Sequence, residues 1–432
     1  MRSVRLKDLE AETVLRIKQR AAGAFEGVND RAQSIMDEVK KRGDAAIREF
    51  TAKLDGVNLD TFEVTPAELE EALKQADPAL LDAMRHVIAN LTKFHSTHVK
   101  LEEEHVYTDE GIELWRVWRP IERVGLYVPG GKAVYPSSLL MTAVPASLAG
   151  CPEIIVCAPP NKEGNLPSAT LAAAALLNLP NLRIFKIGGA QAIAAMAYGT
   201  ETVPKTYKIF GAGNSYVTAA KMLAFGRGLA NIDMPAGPSE VLIIADDSAN
   251  PAFAAADFLS QAEHADDSAS ILLTTSPKFA EAVGREVARQ LPLLSTADRA
   301  SNSLEQFGLI AVVDSLDEAI EFANDYAPEH LEICTENAEE VMARLNNAGT
   351  IFLGNFTPEP SGDYVSGLNH VLPTGANTKM FGPLSVESFG KKMQVQRMTR
   401  EGLAAIRQSA EIMAATEGLP AHGRAINIRF EE

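Results

Sequence analysis

The feature that most constrains the fold is an alternation, from about residue 124 onward, of short β-branched apolar runs with alanine-rich stretches. Such alternation is typical of βαβ units and a parallel sheet. A first set of strands is predicted at Val124–Val128, Glu153–Ala158, Arg183–Ile187 and Tyr207–Phe210. A second set is predicted at Val241–Ala245, Ser270–Thr274, Ile310–Val313 and Thr350–Leu353.

The Pro- and Gly-containing segment Pro235–Pro238 separates the two sets, and 432 residues exceed a single typical core. The predicted fold class is therefore α/β. We expect two incomplete Rossmann-like domains with parallel sheets, a helical N-terminal region, and a C-terminal tail without strands. The expected boundaries are an N-terminal arm at 1–24, a discontinuous first domain at 25–124 and 237–380, a second domain at 125–236, and a helical tail at 381–432.

Charge and cysteine content narrow the class of partner. The net charge of −17, with no run rich in Lys or Arg, argues against nucleic acid and against anionic membrane surfaces. Three cysteines are too few for a disulfide framework, so free core thiols are expected. No apolar leader and no stretch of about 18 apolar residues is visible, and a cytoplasmic location is expected.

Four of the eight histidines lie in the second half, each with a carboxylate one to seven residues upstream: His264, His330, His370 and His422. Histidine is a common metal ligand and changes charge near neutral pH, so this pattern indicates a site. The other four, between residues 86 and 105, are expected to be solvated.

Gln261 and His264, three residues apart at the end of a predicted helix, share one face of that helix. With Asp363 and His422 they could form the mixed nitrogen and oxygen ligand set of a zinc site. Their spacing is not a local metal motif, and loop histidines with helix caps are the alternative.

Glu329 and His330 are adjacent in sequence, and so would serve separate roles around one substrate, presented from a loop. A carboxylate can activate water and an imidazole can move protons. The alternative is a capping Glu beside a surface His.

Three glycine-rich turns follow predicted strands, at Gly125–Gly131, Ile187–Gln191 and Phe210–Ser215. Glycine allows close approach of a phosphate, and a helix N-terminus offers free N–H groups. However, the third glycine of the dinucleotide fingerprint is absent after Gly213. Cofactor turns and plain βα turns are both compatible with these residues.

Taken together, these segments resemble the histidinol dehydrogenase family from about residue 25 to the end. The motifs that carry the resemblance are Gly125–Gly131, Gly188–Ala192, Asp233–Glu240, Leu259–His264, Ala327–Glu332, Gly362–Tyr364, Asn369–Thr374 and Ala421–His422.

The resemblance implies a cytoplasmic enzyme that uses one zinc and two NAD to oxidise L-histidinol through L-histidinaldehyde to L-histidine. It implies Glu329 as the residue that activates water and His330 as the general base. The implied zinc ligands are Gln261, His264, Asp363 and His422. The implied substrate contacts are Ser239, Gln261, His264, His330, Asp363, His370, Glu417 and His422. The implied NAD contacts are Tyr127, Gln191 and Asn214.

The resemblance also implies a homodimer in which the tail of one subunit completes the partner's site, and places NAD on the 125–236 domain. One departure is Ala212, where family members usually have proline, and we expect a modest effect on cofactor affinity. The alternative function is that of a paralogous zinc- and NAD-dependent dehydrogenase acting on another polar alcohol, such as a sulfonated diol.

Overall fold

The structure of this chain is a computed structural model that describes residues 3–18, 20, 27–97, 104–130, 134–235 and 237–431. Its strands are β1 Val4–Arg5, β2 Val106–Asp109, β3 Ile112–Pro120, β4 Arg123–Tyr127, β5 Glu153–Ala158, β6 Leu182–Lys186, β7 Lys208–Phe210, β8 Asn231–Ile232, β9 Glu240–Ala245, β10 Ala269–Thr274, β11 Gly308–Val312, β12 His330–Cys334, β13 Thr350–Leu353 and β14 Gly390–Met398.

The helices begin with those that precede the first parallel sheet: α1 Ala11–Lys18, α2 Asn29–Arg42, α3 Asp44–Phe50, α4 Pro66–Gln75 and α5 Pro78–Ser96. Those between its strands are α6 Pro136–Leu148, α7 Ser168–Leu177, α8 Gly189–Tyr198 and α9 Ser215–Gly226. The remainder are α10 Pro251–Ala262, α11 Pro277–Gln290, α12 Ala297–Phe307, α13 Leu316–Tyr326, α14 Ala338–Met342, α15 Glu359–Tyr364, α16 Arg400–Thr416 and α17 Pro420–Asn427.

Two parallel sheets form the frame of the molecule, as the alternating pattern predicts. One has the strand order β6-β5-β4-β7-β8 and the other the order β1-β11-β10-β9-β12-β13. Each sheet carries an apolar core on both faces. All eight predicted strands are present, with ends shifted by at most two residues. The α/β fold class with two parallel sheets is confirmed.

A third, antiparallel sheet joins β14, β3 and β2, and its presence shows that the prediction of a tail without strands is wrong. Most residues of β14 are exposed, so the strand lacks the apolar pattern by which a buried strand is identified from sequence. Strand β12 was also not predicted, because His330 and Glu332 interrupt its apolar run.

The helices between residues 29 and 96 pack against the 123–232 sheet, whereas the predicted first domain groups 25–124 with 237–380. Helix α2 contacts α8 and α9, while α4 and α5 contact α6 and α7. The apolar stripe of α2, Ala32, Met36 and Val39, is fully buried there. An amphipathic stripe predicts that a helix is buried but not which sheet it covers. The domain boundaries themselves stay a prediction.

Part of the predicted N-terminal arm lies on the six-stranded sheet that contains β9–β13. Strand β1 pairs with β11 in parallel, and α1 contacts α13. The described residues leave out 1–2, 19 and 21–24 of this arm. They also leave out Gly131, Ala236 and His98. Within the described part of the chain, no helix is long and apolar enough to span a membrane.

Candidate active site

The Glu329–His330 pair lies at the amino end of β12, where α13 has ended and the chain enters the sheet. Glu329 is 5% and His330 3% exposed, so the alternative of a surface histidine is wrong. His330 is the first residue of β12 and not part of a loop, and it pairs with Val241 in β9 and Thr350 in β13. The pair is therefore held at the start of a strand that is paired on both sides.

The backbone of Glu240, the first residue of β9, contacts both members of this pair. Its N–H donates to Glu329 Oε2 at 2.8 Å, and its carbonyl oxygen lies 3.0 Å from His330 Nδ1. Gln261 Oε1 lies 3.2 Å from the same nitrogen. Since both of these neighbours are acceptors, Nδ1 carries a proton and donates, and Nε2 is the nitrogen left for chemistry.

His330 Nε2 faces two carboxylates, with Glu359 Oε1 and Asp363 Oδ1 each 3.7 Å away. Burial lowers the pKa of His330, but the neighbouring carboxylates, Glu329 above all, outweigh this and raise that pKa to about 10. Burial raises the pKa of Glu329 to about 8, against the opposing effect of His330. The site thus keeps a positive imidazole among buried acids, and a bound cation would drive off that proton.

A group of donor atoms suited to a metal lies beside His330. Nitrogen and oxygen atoms of His264, Glu359 and Asp363 lie within 4.8 Å of one another. Gln261 is fully buried, and its Nε2 has no hydrogen-bond partner. Burial lowers the pKa of His264. Burial raises the pKa of Asp363, but the surrounding histidines outweigh this and hold it at about 2. A neutral imidazole and an ionised carboxylate are the protonation states that metal ligands require.

Glu359 is a site residue that the sequence analysis missed. It is fully buried, its backbone N–H donates to Glu332 Oε1 at 2.9 Å, and its Oε2 accepts from Ser260 at 3.2 Å. Burial raises its pKa to about 8, and its Oε1 has no hydrogen-bond partner. Glu359 stands four residues before Asp363 on α15, so the i,i+4 spacing of two carboxylates was the available signal.

Two further predicted substrate contacts lie next to this group. His370 Nδ1 donates to the carbonyl oxygen of Asp363 at 3.0 Å, and its Nε2 lies 3.4 Å from Ser138 Oγ. Ser239 directly precedes Glu240 at the start of β9. The structure therefore brings both to the amino ends of β9 and β12.

Glu417 and His422 are not brought to this group within the chain. Glu417 follows α16 and His422 lies in α17; both are exposed. Helix α17 packs on α16 and on the following turn, residues 428–430. Three of the four predicted zinc ligands thus lie together in one chain, and the fourth is on its surface.

The residues predicted to contact NAD lie at the carboxyl ends of strands in the other sheet. The N–H of Gly189 donates to the hydroxyl of Tyr127 at 3.0 Å, and Gln191 Nε2 donates to Asp55 Oδ2 at 3.3 Å. Asn214 caps α9, accepting from the N–H groups of residues 216 and 217 at 3.1 Å. The carboxyl ends of parallel strands are where open α/β sheets bind nucleotides.

A buried ion pair holds the Gly211 turn beside Tyr127. Lys221 Nζ lies 2.5 Å from Asp233 Oδ1 and donates to the carbonyl oxygen of Gly211 at 2.8 Å. The N–H of Gly211 donates to Asp233 Oδ2 at 2.8 Å. Gly211 has a φ of 112°, and a Cβ there would overlap the carbonyl oxygen of Tyr127, so only glycine fits. The Lys221–Asp233 ion pair therefore holds both the N–H and the carbonyl oxygen of Gly211.

Two further residues differ from what the sequence suggested. His95, expected to be solvated, is 2% exposed on α5, and Asp55, which no sequence pattern pointed to, touches Gln191. The three cysteines are free and buried, as expected.

Comparison with known proteins connects this geometry to one family. The model of the family described as histidinol dehydrogenase matches residues 18–430. A histidinol dehydrogenase of Bacteroides fragilis is 48% identical over 407 residues, covering 94% of each chain. One of Methanosarcina mazei is 43% identical over 426 residues, covering 99% of this chain and 97% of the relative.

A solved structure gives the same result. The crystal structure of histidinol dehydrogenase from Elizabethkingia anophelis superposes with a TM-score of 0.93 at 41% identity, covering 98% of this chain and 96% of that one. These relatives do not favour the alternative of a paralogue for another polar alcohol. The chain belongs to the histidinol dehydrogenase family, oxidoreductases of histidine biosynthesis.

Proposed function

We propose that this chain catalyses the zinc-dependent oxidation of L-histidinol through L-histidinaldehyde to L-histidine with two NAD, the last step of histidine biosynthesis. The observation that carries the proposal is the buried group formed by the Glu329–His330 pair, Gln261 and Asp363 at one end of the sheet. Buried carboxylates and imidazoles with strongly shifted pKa values are typical of catalytic sites. Family membership supplies the substrate class.

Zinc fits the donor set of this site. Gln261 is buried and its amide nitrogen has no hydrogen-bond partner, His264 is one-third exposed, and the Asp363 carboxylate lies 3.9 Å from the His264 ring. These three residues would hold the ion, with His422 of the partner subunit as the fourth ligand. When bound, zinc would orient the imidazole and amine of the substrate, a positioning role.

His330 and Glu329 divide the proton transfers between them. In the first oxidation His330 Nε2 would take the hydroxyl proton of the substrate, and NAD, when bound, would accept the hydride from the carbinol carbon. In the hydration step a water oxygen bonds to the aldehyde carbon while Glu329 takes one of its protons. The hydrate would then give a hydride to a second NAD and a proton to His330, which has released its first proton to solvent in between, and the product is the carboxylate. Over the reaction one water is consumed and two NADH form.

The other residues would bind and align the reactants. Ser239 and His370 lie beside the ligand group, which is Gln261, His264 and Asp363. They would contact the substrate together with Glu417 of the partner subunit. Tyr127, Gln191 and Asn214 would contact NAD on the 125–236 domain. When bound there, NAD accepts the hydride, and the protein supplies orientation.

We also propose the homodimer in which the tail of one subunit completes the site of the other. Its support is the exposure of Glu417 and His422, away from the other three ligands. The same tail exposes large apolar side chains: Ile412, Met413, Leu419 and Ile428. An exposed apolar surface of this kind is typical of an interface.

The test is chelation followed by zinc re-addition, with NADH formation from histidinol as the measurement. The expected result is loss and recovery of activity, with two NADH per histidinol. Glu329→Gln should lower the rate about 10²- to 10⁴-fold, as should His330→Asn. His86→Asn, which changes an exposed histidine on α5, is the matched control and should keep full activity. No turnover of histidinol by zinc-loaded protein would overturn the proposal.

A further inference from the structure

We propose that Arg20, in the N-terminal arm, is a positioning residue that holds the Glu329–His330 pair in place through Glu240. The inference rests on the function proposed above, because it concerns the same two residues. No sequence motif pointed to the arm, and the described hydrogen bonds of Arg20 go to Glu240 and to the backbone of residues 18 and 326 rather than to the pair. Its contacts lead to them in two steps.

The first step joins Arg20 to Glu240. The guanidinium binds the carboxylate with both arms: Nε donates to Oε1 at 2.6 Å and a terminal nitrogen donates to Oε2. The Arg20 side chain is 10% exposed and that of Glu240 is 1% exposed. A planar, two-pronged contact of this kind fixes the orientation of the carboxylate as well as its position.

The second step joins Glu240 to the catalytic pair. The same residue donates its N–H to Glu329 Oε2 at 2.8 Å and offers its carbonyl oxygen to His330 Nδ1 at 3.0 Å. The two hydrogen bonds set the position of the water-activating carboxylate and the tautomer of the imidazole. A shift of the Glu240 backbone would therefore disturb both groups at once.

Arg20 also contacts the segment that leads into the pair. Its Cζ lies 3.4 Å from the centroid of the Tyr326 ring, and it donates to the Tyr326 carbonyl oxygen at 3.2 Å. Tyr326 is fully buried and stands three residues before Glu329, next to Ala327 in a left-handed conformation with φ 53°. One side chain thus touches both the strand that contacts the pair and the turn that delivers it.

The charge of Glu240 explains why an arginine is needed. Its carboxylate is buried at the start of β9, close to Glu329, and accepts a further hydrogen bond from the N–H of Gly375 at 2.9 Å. Loss of Arg20 would leave an uncompensated carboxylate beneath two catalytic groups, and a buried charge without a partner displaces the chain around it.

The experiment compares Arg20→Ala, Arg20→Lys and the control Lys18→Ala in zinc-loaded, full-length protein. Lys18 lies on the same arm and pairs with Asp325 at 2.6 Å, so its loss removes an ion pair from the arm and leaves Glu240 untouched. The measurements are kcat and KM for histidinol, bound zinc per subunit, and the thermal unfolding midpoint.

We expect Arg20→Ala to lower kcat about 10- to 100-fold while KM changes less than about threefold, because misplacing a catalytic group slows chemistry more than binding. Arg20→Lys should fall between, and bound zinc should stay unchanged. Millimolar ethylguanidinium should restore part of the kcat of Arg20→Ala, whereas equal sodium chloride should not. Lys18→Ala should keep kcat within about twofold of the unmodified protein.

Unchanged kcat in a folded Arg20→Ala with a lowered unfolding midpoint would overturn the proposal and leave a purely structural ion pair. If Arg20→Ala does not fold, the decision passes to Arg20→Lys, whose kcat must fall more than that of Lys18→Ala. An active unmodified protein with an unaffected Arg20→Lys refutes this inference alone. An unmodified protein that cannot oxidise histidinol refutes the proposed function, and the inference with it.

Discussion

Replacing Lys221 by Met should break the Gly211 turn by leaving a buried charge without its partner. The side chains of Lys221 and Asp233 are 2% and 1% exposed, with their charged atoms 2.5 Å apart. Methionine nearly matches lysine in length and volume, so the substitution removes the charge and leaves little empty space. Its effect should therefore report on electrostatics and hydrogen bonding.

The magnitude follows from what is left behind. Removing one partner of a buried ion pair costs about 3–5 kcal/mol. The Gly211 carbonyl oxygen also loses the hydrogen bond it accepts from Lys221 at 2.8 Å. Because the Asp233 carboxylate then loses its charged partner and must shift, its hydrogen bond from the Gly211 N–H weakens as well. We expect the free energy of unfolding to fall by about 3–5 kcal/mol.

The assay is urea unfolding together with NAD titration. Lys221→Met should unfold at lower urea and bind NAD more weakly than the unmodified protein. The double variant Lys221→Met, Asp233→Leu should recover most of the stability, because a buried pair replaced by apolar groups is often neutral. Lys278→Met, on the exposed side of α11, is the control and should stay within about 0.5 kcal/mol. A Lys221→Met that is as stable as this control would refute the reasoning.

Three further results are expected. Gly211→Ala should cost about 1–3 kcal/mol of stability and weaken NAD binding, measured by thermal unfolding and titration, whereas Gly382→Ala, with open space around it, should not. Glu359→Gln should lower zinc affinity about 10- to 100-fold in a chelator competition, with exposed Glu340→Gln unchanged. Burial raises the pKa of Glu329 from 4.5 to about 8, so its contribution to stability is complete below 4.5 and is lost as pH rises through 8. Chelated protein should therefore unfold at lower temperature at pH 9 than at pH 6, and less so in Glu329→Gln; a flat profile would contradict the shift.

The parallel sheets could be predicted because their strands are buried on both faces. Runs such as Ile154–Cys157 and Leu242–Ile244 are fully buried, and nothing polar interrupts them. Strand β12 has the same environment but begins with His330 and carries Glu332, and these two polar residues hid it. The fully buried strand that the pattern missed is the one that begins at the Glu329–His330 pair, because a strand departs from the apolar rule where it carries polar residues of a site.

The ligand group was predictable in part for a similar reason. Gln261, His264 and Asp363 stand in short polar segments that a resemblance could match, and the structure brings them together. Glu359 stands between two prolines on a short helix, and its burial depends on the packing of α15 against α10. Burial of that kind arises from tertiary contacts, so the i,i+4 spacing with Asp363 marks Glu359 as a candidate but does not show that it is buried.

The two sheets are used at opposite ends, and this sets how the chemistry can be arranged. The turns proposed for NAD follow the carboxyl ends of β4, β6 and β7, where helix N-termini offer N–H groups to phosphates. The Glu329–His330 pair and the proposed zinc ligands lie at the amino ends of β9 and β12, where buried carboxylates collect instead. Helix N-termini favour anions and carboxylates favour cations, so the proposed NAD surface and the proposed zinc surface each lie at the sheet end that suits them. Arg20 adds a cation at this acidic end, where it binds the carboxylate of Glu240, the residue whose backbone N–H and carbonyl oxygen contact Glu329 and His330.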